Sequence, residues 1–261
     1  LAHTMTYTVS IMRFLLIPTF MLLFSFFSNA QVIGGEQDKL FDMFLLEKYE
    51  DCYYRAFKMT ENEQFKTDPE PYLYVSMCNL KLHQDEEIKE HYPKALQDAL
   101  KYAEKTKKYY KKRIDKSIPT FVLEDNVEYF NELITVALEE CIYHYNEDKF
   151  SKSASWFKKL AKVEESDDIL LAVGANMLLS RNMEGKRIID EVLPKIKATY
   201  KSGDAVPNEI TKEALVVGLI AYSRYLEESG ETFQAKEIIS LAKEIFPDNL
   251  KIDRSYNALH N

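Results

Sequence analysis

The sequence predicts an all-α fold, a continuous array of antiparallel helix pairs. Three observations carry this. Phe130, Leu133, Ile134, Ala137, Leu138, Cys141, Ile142 and Tyr145 follow one another at steps that return to a single helix face. No stretch shows sustained two-residue alternation, so no half-buried strand is expected. Finally, the 7 Gly and 8 Pro among 261 residues fall largely between apolar stripes, at Pro69 with Pro71, Pro119, Gly203 with Pro207, Gly230 and Pro247.

In chain order, helices are expected near residues 37–47, 49–61, 70–84, 87–115, 123–147, 149–163, 167–181, 184–202, 208–229, 231–246 and 248–259. Asp68 and Asn126 are suited to cap the helices that follow them. The 123–147 helix carries the long stripe above. After Asn146-Glu147-Asp148 the next stripe is Phe150, Ala154, Phe157, Leu160 and Ala161. Residues 169–179 are apolar almost all round, which predicts a central helix covered on both sides. Pro194 falls inside the eighth helix and is expected to kink or split it. The ninth helix carries Leu215, Leu219, Tyr222 and Leu226, and the tenth carries Ala235, Ile238, Ile239, Ala242 and Ile245. Connections of two to eight residues suit antiparallel neighbours.

Composition narrows the function classes. Hydrophobic residues are 46% of the chain, with 17 Tyr and 15 Phe, which is incompatible with disorder. Scarce glycine argues against the phosphate loops of Rossmann and P-loop enzymes. Three cysteines, Cys52, Cys78 and Cys141, are too few for a disulfide scaffold, and their spacing matches no zinc pattern. Each lies in an apolar stripe, so they read as small buried residues or, for Cys52 and Cys78, as a bridge between adjacent helices.

Residues 216–249 resemble a tetratricopeptide repeat. Leu219, Tyr222, Ser223 and Leu226 follow that family's large, large, small, large order; Gly230 stands at the turn; Ala235, Ile239, Ala242 and Pro247 follow at its spacings. A preceding unit has Leu170, Val173, Gly174 and Met177, then Gly185, Ile189 and Leu193, with Lys186 in place of the expected Ala and no closing Pro. Leu138, Cys141, Ile142 and Tyr145 with Phe150, Ala154 and Ala161 make a third unit after one shifted residue. A fourth, over 49–59 after Leu45-Leu46, has Cys52 where Ala is usual. The resemblance implies a right-handed α-solenoid of stacked helix pairs, with a long basic helix inserted, in one domain spanning residues 31–261. The alternative is an irregular helical bundle.

Residues 1–30 read as a secretory signal peptide. They hold no Asp or Glu, place Arg13 before an apolar run over 14–27, and end in Ser28-Asn29-Ala30, so cleavage is expected after Ala30. The run is shorter than the roughly 20 residues a bilayer needs. Residue 31 is Gln, so no lipoprotein attachment is expected, and Met12 is a candidate start. The expected address is periplasmic or secreted.

Charge is uneven. The whole chain has 34 Lys+Arg against 42 Asp+Glu, net −8, and loss of Arg13 would make it −9. Residues 101–117 hold eight basic and two acidic residues, net +6; residues 118–148 hold eight acidic and no Lys or Arg, net −8. Lys107, Lys108, Lys111 and Lys112 are therefore candidates for a basic docking surface toward an acidic partner or lipid headgroups. The plainer reading is a solvated face balanced by the acidic neighbour. Tyr102, Tyr109 and Tyr110 interleave with the lysines, but overall acidity and the exported address argue against nucleic acid.

No catalytic motif stands out. His83, Glu87 and His91 would share a face only on one continuous helix, and two turns separate the histidines, so the segment reads as an exposed connection and not a metal site. His144 beside the long stripe reads as a packing or surface residue. The expected role is non-enzymatic, without cofactor or metal: a scaffold binding a peptide or protein segment in a concave helical groove. The resemblance aligns Glu139, Tyr143, Ala175, Leu178, Arg224, Glu227 and Glu228 with groove-facing positions. The alternative is a helical envelope enzyme or glycan-binding protein.

Overall fold

A computed structural model describes residues 36–200 and 205–260. The chain divides into two compact units, residues 1–42 and 43–261. The expected signal segment and its cleavage site lie outside the described residues. In the described part of the first unit a helix begins, α1 (Glu36–Leu45), that ends in the second.

The described residues form eleven α-helices and no strand. After α1 come α2 (Tyr49–Glu61), α3 (Pro69–Gln84), α4 (Ala95–Asp115), α5 (Val127–Asn146), α6 (Phe150–Leu160), α7 (Asp167–Leu179), α8 (Glu184–Tyr200), α9 (Lys212–Glu228), α10 (Thr232–Ile245) and α11 (Leu250–His260). Short 3-10 turns at Lys89–His91 and Glu124–Asn126 precede α4 and α5. Within the second unit, α2 packs on α3, α3 on α4, α5 on α6, α6 on α7, α7 on α8 and α9, α9 on α10, and α10 on α11.

Two helix starts follow from capping. The Asp68 carboxylate accepts from the Glu70 amide at 3.2 Å with Pro69 and Pro71 in the first turn of α3, and Ser166 does the same for Asp168 at the start of α7. Asn126 precedes α5 as expected, but its side chain does not cap; its amide donates back to the Val122 carbonyl at 2.9 Å. The fourth helix begins at Ala95 and not near 87. Pro93 lacks an amide hydrogen and disfavours helical geometry at Tyr92, so the segment before it forms only a 3-10 turn. Pro194 does not split α8. It lies on an exposed face, where water can meet the Asp190 carbonyl that loses its helical partner.

One turn geometry recurs. After α1, α4, α5, α7 and α9 the second residue past the helix is left-handed: Glu47 (φ 57°), Ser117 (57°), Asp148 (52°), Arg181 (63°) and Gly230 (81°). Each turn closes with the same two backbone bonds, for example Asp148 N to Tyr145 O at 3.0 Å and Lys149 N to His144 O at 2.9 Å. This Schellman closure satisfies the last carbonyls of the helix and turns the chain back on itself. Buried serines add a side-chain bond within two of the pairs. Ser153 donates to the Cys141 carbonyl at 3.0 Å between α6 and α5, and Ser223 to the Ala235 carbonyl at 2.9 Å between α9 and α10.

The core forms two clusters that share α7, the central helix expected from its all-round apolarity. Ile169, Ala172, Val173 and Met177 join α3, α4, α5 and α6, while Leu171, Ala175 and Leu178 join α8, α9, α10 and α11. Glycine permits this double coverage. A Cβ on Gly185 of α8 would stand 2.4 Å from the Gly174 carbonyl of α7, and one on Gly218 of α9 would stand 2.9 Å from the Ala172 amide.

Candidate functional site

The candidate site is built around the turn that joins α5 to α6. Asp148 occupies the left-handed position, so its carboxylate projects from a fixed backbone. Arg224, near the end of α9, reaches this turn across a large separation in sequence. Its guanidinium donates to Asp148 at 2.8 Å and to Glu228, one turn along its own helix, at 2.8 Å. The same group sits 4.9 Å from the centre of the Phe150 ring. Burial works against the Arg224 charge, but the two carboxylates outweigh it and raise its pKa.

A cleft of about 490 Å³ opens beside this clamp, lined by Asp148, Lys149, Phe150, Lys152, Leu179 and Arg181, among others. Tyr143, one turn before the end of α5, stands 52% exposed, with the Lys149 ammonium 5.7 Å from its ring centre. Glu139, one turn earlier, is exposed, as are Glu227 and Glu228 at the end of α9. The turn therefore brings together Tyr143, Arg224 and Glu228 through Asp148, Lys149 and Phe150. Two of the expected groove positions are corrected. Ala175 and Leu178 are buried, because α9 and α8 cover the face of α7 that the repeat alignment left open. Arg224 is engaged within the fold and is not a free anchor.

Sequence reasoning missed Asp148, Lys149 and Phe150 as site residues, reading Asn146-Glu147-Asp148 only as a break. It also missed a larger surface cleft of about 760 Å³ between α8 and α10, lined by Lys197, Phe233, Lys236, Leu241 and Glu244 among others, with Phe233 73% exposed. A large apolar residue next to a helix start was the available signal.

The basic run lies on α4 and is partly neutralised inside the fold. Lys107 pairs with Glu164 at 3.3 Å and lies 5.3 Å from the Phe130 ring centre. Lys112 lies 5.3 Å from the Tyr109 ring centre, Lys105 lies over Tyr102 and Tyr72, and Arg113 pairs with Asp68 at 3.4 Å. Lys108 and Lys111 face solvent. Much of the run therefore lies along aromatic rings of the fold.

No protein-family model and no curated protein matches this chain.

His83, His91, His144, Asp168 and Glu132 line neither cleft. His83, His91 and Glu87 do not share a helix, since α3 ends at Gln84. His83 is pushed down by burial, with Glu140 opposing, and His144 lies 3.2 Å from Glu140. Among the described residues no group of three metal-ligating side chains comes together. Asp168 is raised by burial, with a hydrogen bond from Thr211 at 2.6 Å opposing the shift, and it lies between the starts of α7 and α9. Glu132 is opposed by burial, but Lys81 and Gln84 outweigh it and hold its carboxyl low. Among the described residues no helix is long and apolar enough to cross a membrane.

Proposed function

We propose that this chain is an exported, non-enzymatic scaffold that binds a peptide or protein segment on a right-handed solenoid of tetratricopeptide-like helix pairs. The α5–α6, α7–α8 and α9–α10 pairs support the stacked arrangement: each turns on the same left-handed closure. Small residues also stand buried at helix contacts, as at Ala235 and Ala242. Export rests on the residue pattern of positions 1–30.

The observation that carries the binding reading is Tyr143. A large aromatic ring standing 52% exposed beside Lys149, which lines the cleft, on a helix whose other face is core, is the residue type that anchors interfaces. The Asp148–Arg224–Glu228 clamp beside it fixes the surface before a partner arrives, which lowers the ordering cost of association. Perturbed carboxylates away from the clefts favour this reading over the enzymatic one.

The test is capture from cell-envelope extracts with the chain lacking residues 1–30, followed by binding kinetics against each partner recovered. Tyr143→Ala is expected to weaken binding at least tenfold. Reversal of Lys108, Lys111 and Lys112 to Glu, which spares the Lys107–Glu164 pair, is expected to leave affinity within about threefold, since exposed charges act mainly on encounter rate. Full binding by Tyr143→Ala together with loss in the reversed variant would move the site to α4 and to an acidic partner or lipid surface.

A further inference from the structure

Cys52 lies in the first turn of α2 and Cys78 in the second half of α3. Both are fully buried, their helices pack on one another, and the two thiols share a hydrogen bond. A separate contact fixes the same register. The Tyr72 hydroxyl of α3 donates to the Thr60 carbonyl of α2 at 3.4 Å and to the Lys66 carbonyl of the intervening turn at 2.9 Å. Cys52 lies about two turns before Thr60, and Cys78 a little under two turns after Tyr72. In an antiparallel pair these steps run in the same direction through space, so the hydroxyl contact brings the cysteines level. Cys141 belongs to α5, on another helix pair, where its thiol is buried.

We propose that Cys52 and Cys78 are a dithiol–disulfide couple that closes by exchange with an oxidised disulfide donor and ties α2 to α3. The exchange is written with Cys52 as the first thiolate and balances equally with Cys78 first. The hydrogen bond from Cys78 lowers the Cys52 pKa against the burial that opposes ionisation, whereas the same bond and burial raise that of Cys78. The Cys52 thiolate attacks one sulfur of the donor, forming a mixed disulfide and expelling the first donor thiolate. Cys78 then loses its proton and attacks the Cys52 Sγ, expelling the second. Two protein thiols are oxidised and one donor disulfide is reduced to two thiols, the two thiol protons ending on the leaving groups. The closed loop spans residues 52–78 and contains the turn between the two helices. The inference is independent of the binding surface, which involves neither helix.

The experiment refolds the full chain in glutathione buffers graded from reduced to oxidised, so that burial in the native state does not limit access. Samples are acid-quenched, denatured, alkylated and weighed as intact protein. The expected result is a single step from three alkylated cysteines to one, with the remaining adduct on Cys141 and a proteolytic fragment joining Cys52 to Cys78. The Cys141→Ser variant should pass from two adducts to none. The thermal midpoint of the oxidised form should rise by roughly 7–14 °C and fall back on reduction, the shift expected from closing a loop of this length. Three alkylated cysteines at every buffer composition would overturn the proposal. So would glutathione adducts without a Cys52–Cys78 fragment, or a linkage through Cys141.

Discussion

Replacing Gly185 by Ala tests the closest helix contact in the fold. An added Cβ would stand 2.4 Å from the Gly174 carbonyl oxygen, 2.9 Å from Met177 Cβ and 3.1 Å from Leu178 Cγ. Ordinary contact begins near 3.4 Å, so relief requires α7 and α8 to separate locally by about 1 Å. The obstructing atom is main chain in a helix buried on both sides, so no side-chain rotation can accommodate it. Overpacking costs typically 1–3 kcal/mol, and the upper end applies here. Alanine recovers about 1 kcal/mol of helix propensity. The expected net loss is about 2 kcal/mol, seen as a fall of roughly 4–8 °C in thermal midpoint by far-UV circular dichroism. Gly174→Ala supplies the comparison. Its Cβ would meet the movable Cδ1 of Ile189 at 2.9 Å and the Gly185 carbonyl at 3.0 Å, so it should lose less. A Gly185→Ala protein as stable as the wild type, or at least as stable as Gly174→Ala, would refute the close-approach argument.

Three further outcomes are expected. Ala242 is fully buried against α9, so Ala242→Phe should cost roughly 1–3 kcal/mol, whereas Glu237→Phe on the exposed face should stay within about 0.5 kcal/mol by urea denaturation. Ser117 adopts φ 57° after α4, and Ser117→Gly should stabilise by about 1 kcal/mol, since a left-handed L-residue costs 1–2 kcal/mol; a loss in thermal midpoint would count against it. Asp168 has a folded pKa raised above its ordinary 3.8, so the native state holds that proton more tightly than the unfolded chain. Stability must then fall as pH rises from the ordinary value through the raised one, and Asp168→Asn, which still accepts from Thr211, should gain on the wild type across that window. A stability difference between the two that does not change with pH would dismiss the assignment.

The parts of the fold that sequence made legible are those set by local chemistry. The stripe on α5, the caps and prolines at Asp68 and Pro69, the turn at Gly230 and the all-round apolarity of α7 each depend on residues within a few turns of one another. The misreadings came from contacts that periodicity does not encode. Glu47, Ser117, Asp148 and Arg181 occupy left-handed turns that glycine would mark, and four ordinary residues hide them. Ala175 and Leu178 match exposed repeat positions by spacing, yet Gly185 and Gly218 let α8 and α9 close over α7. The start of α4 was misplaced because charged residues before Pro93 are good helix formers, and their propensity outweighed the proline when the segment was read alone.

Arg224 shows most directly how the candidate site depends on the fold beneath it. Its guanidinium lies near Phe150 and donates to Glu228 of its own helix and to Asp148, so the α5–α6 turn is tied to the end of α9 by one charge-assisted bond, the one Asp148 accepts. The pair is exposed enough that its direct contribution to stability is small. Its consequence is positional: with the Arg224 contact cut, the turn that lines the cleft and supports Lys149 over Tyr143 loses its charge-assisted tie to α9. Loss of binding in an Arg224→Ala protein would therefore follow whether or not a ligand touches the guanidinium. Tyr143 has its ring partly in solvent and its removal leaves the clamp intact, so Tyr143 is the residue whose substitution separates contact with a partner from support of the surface.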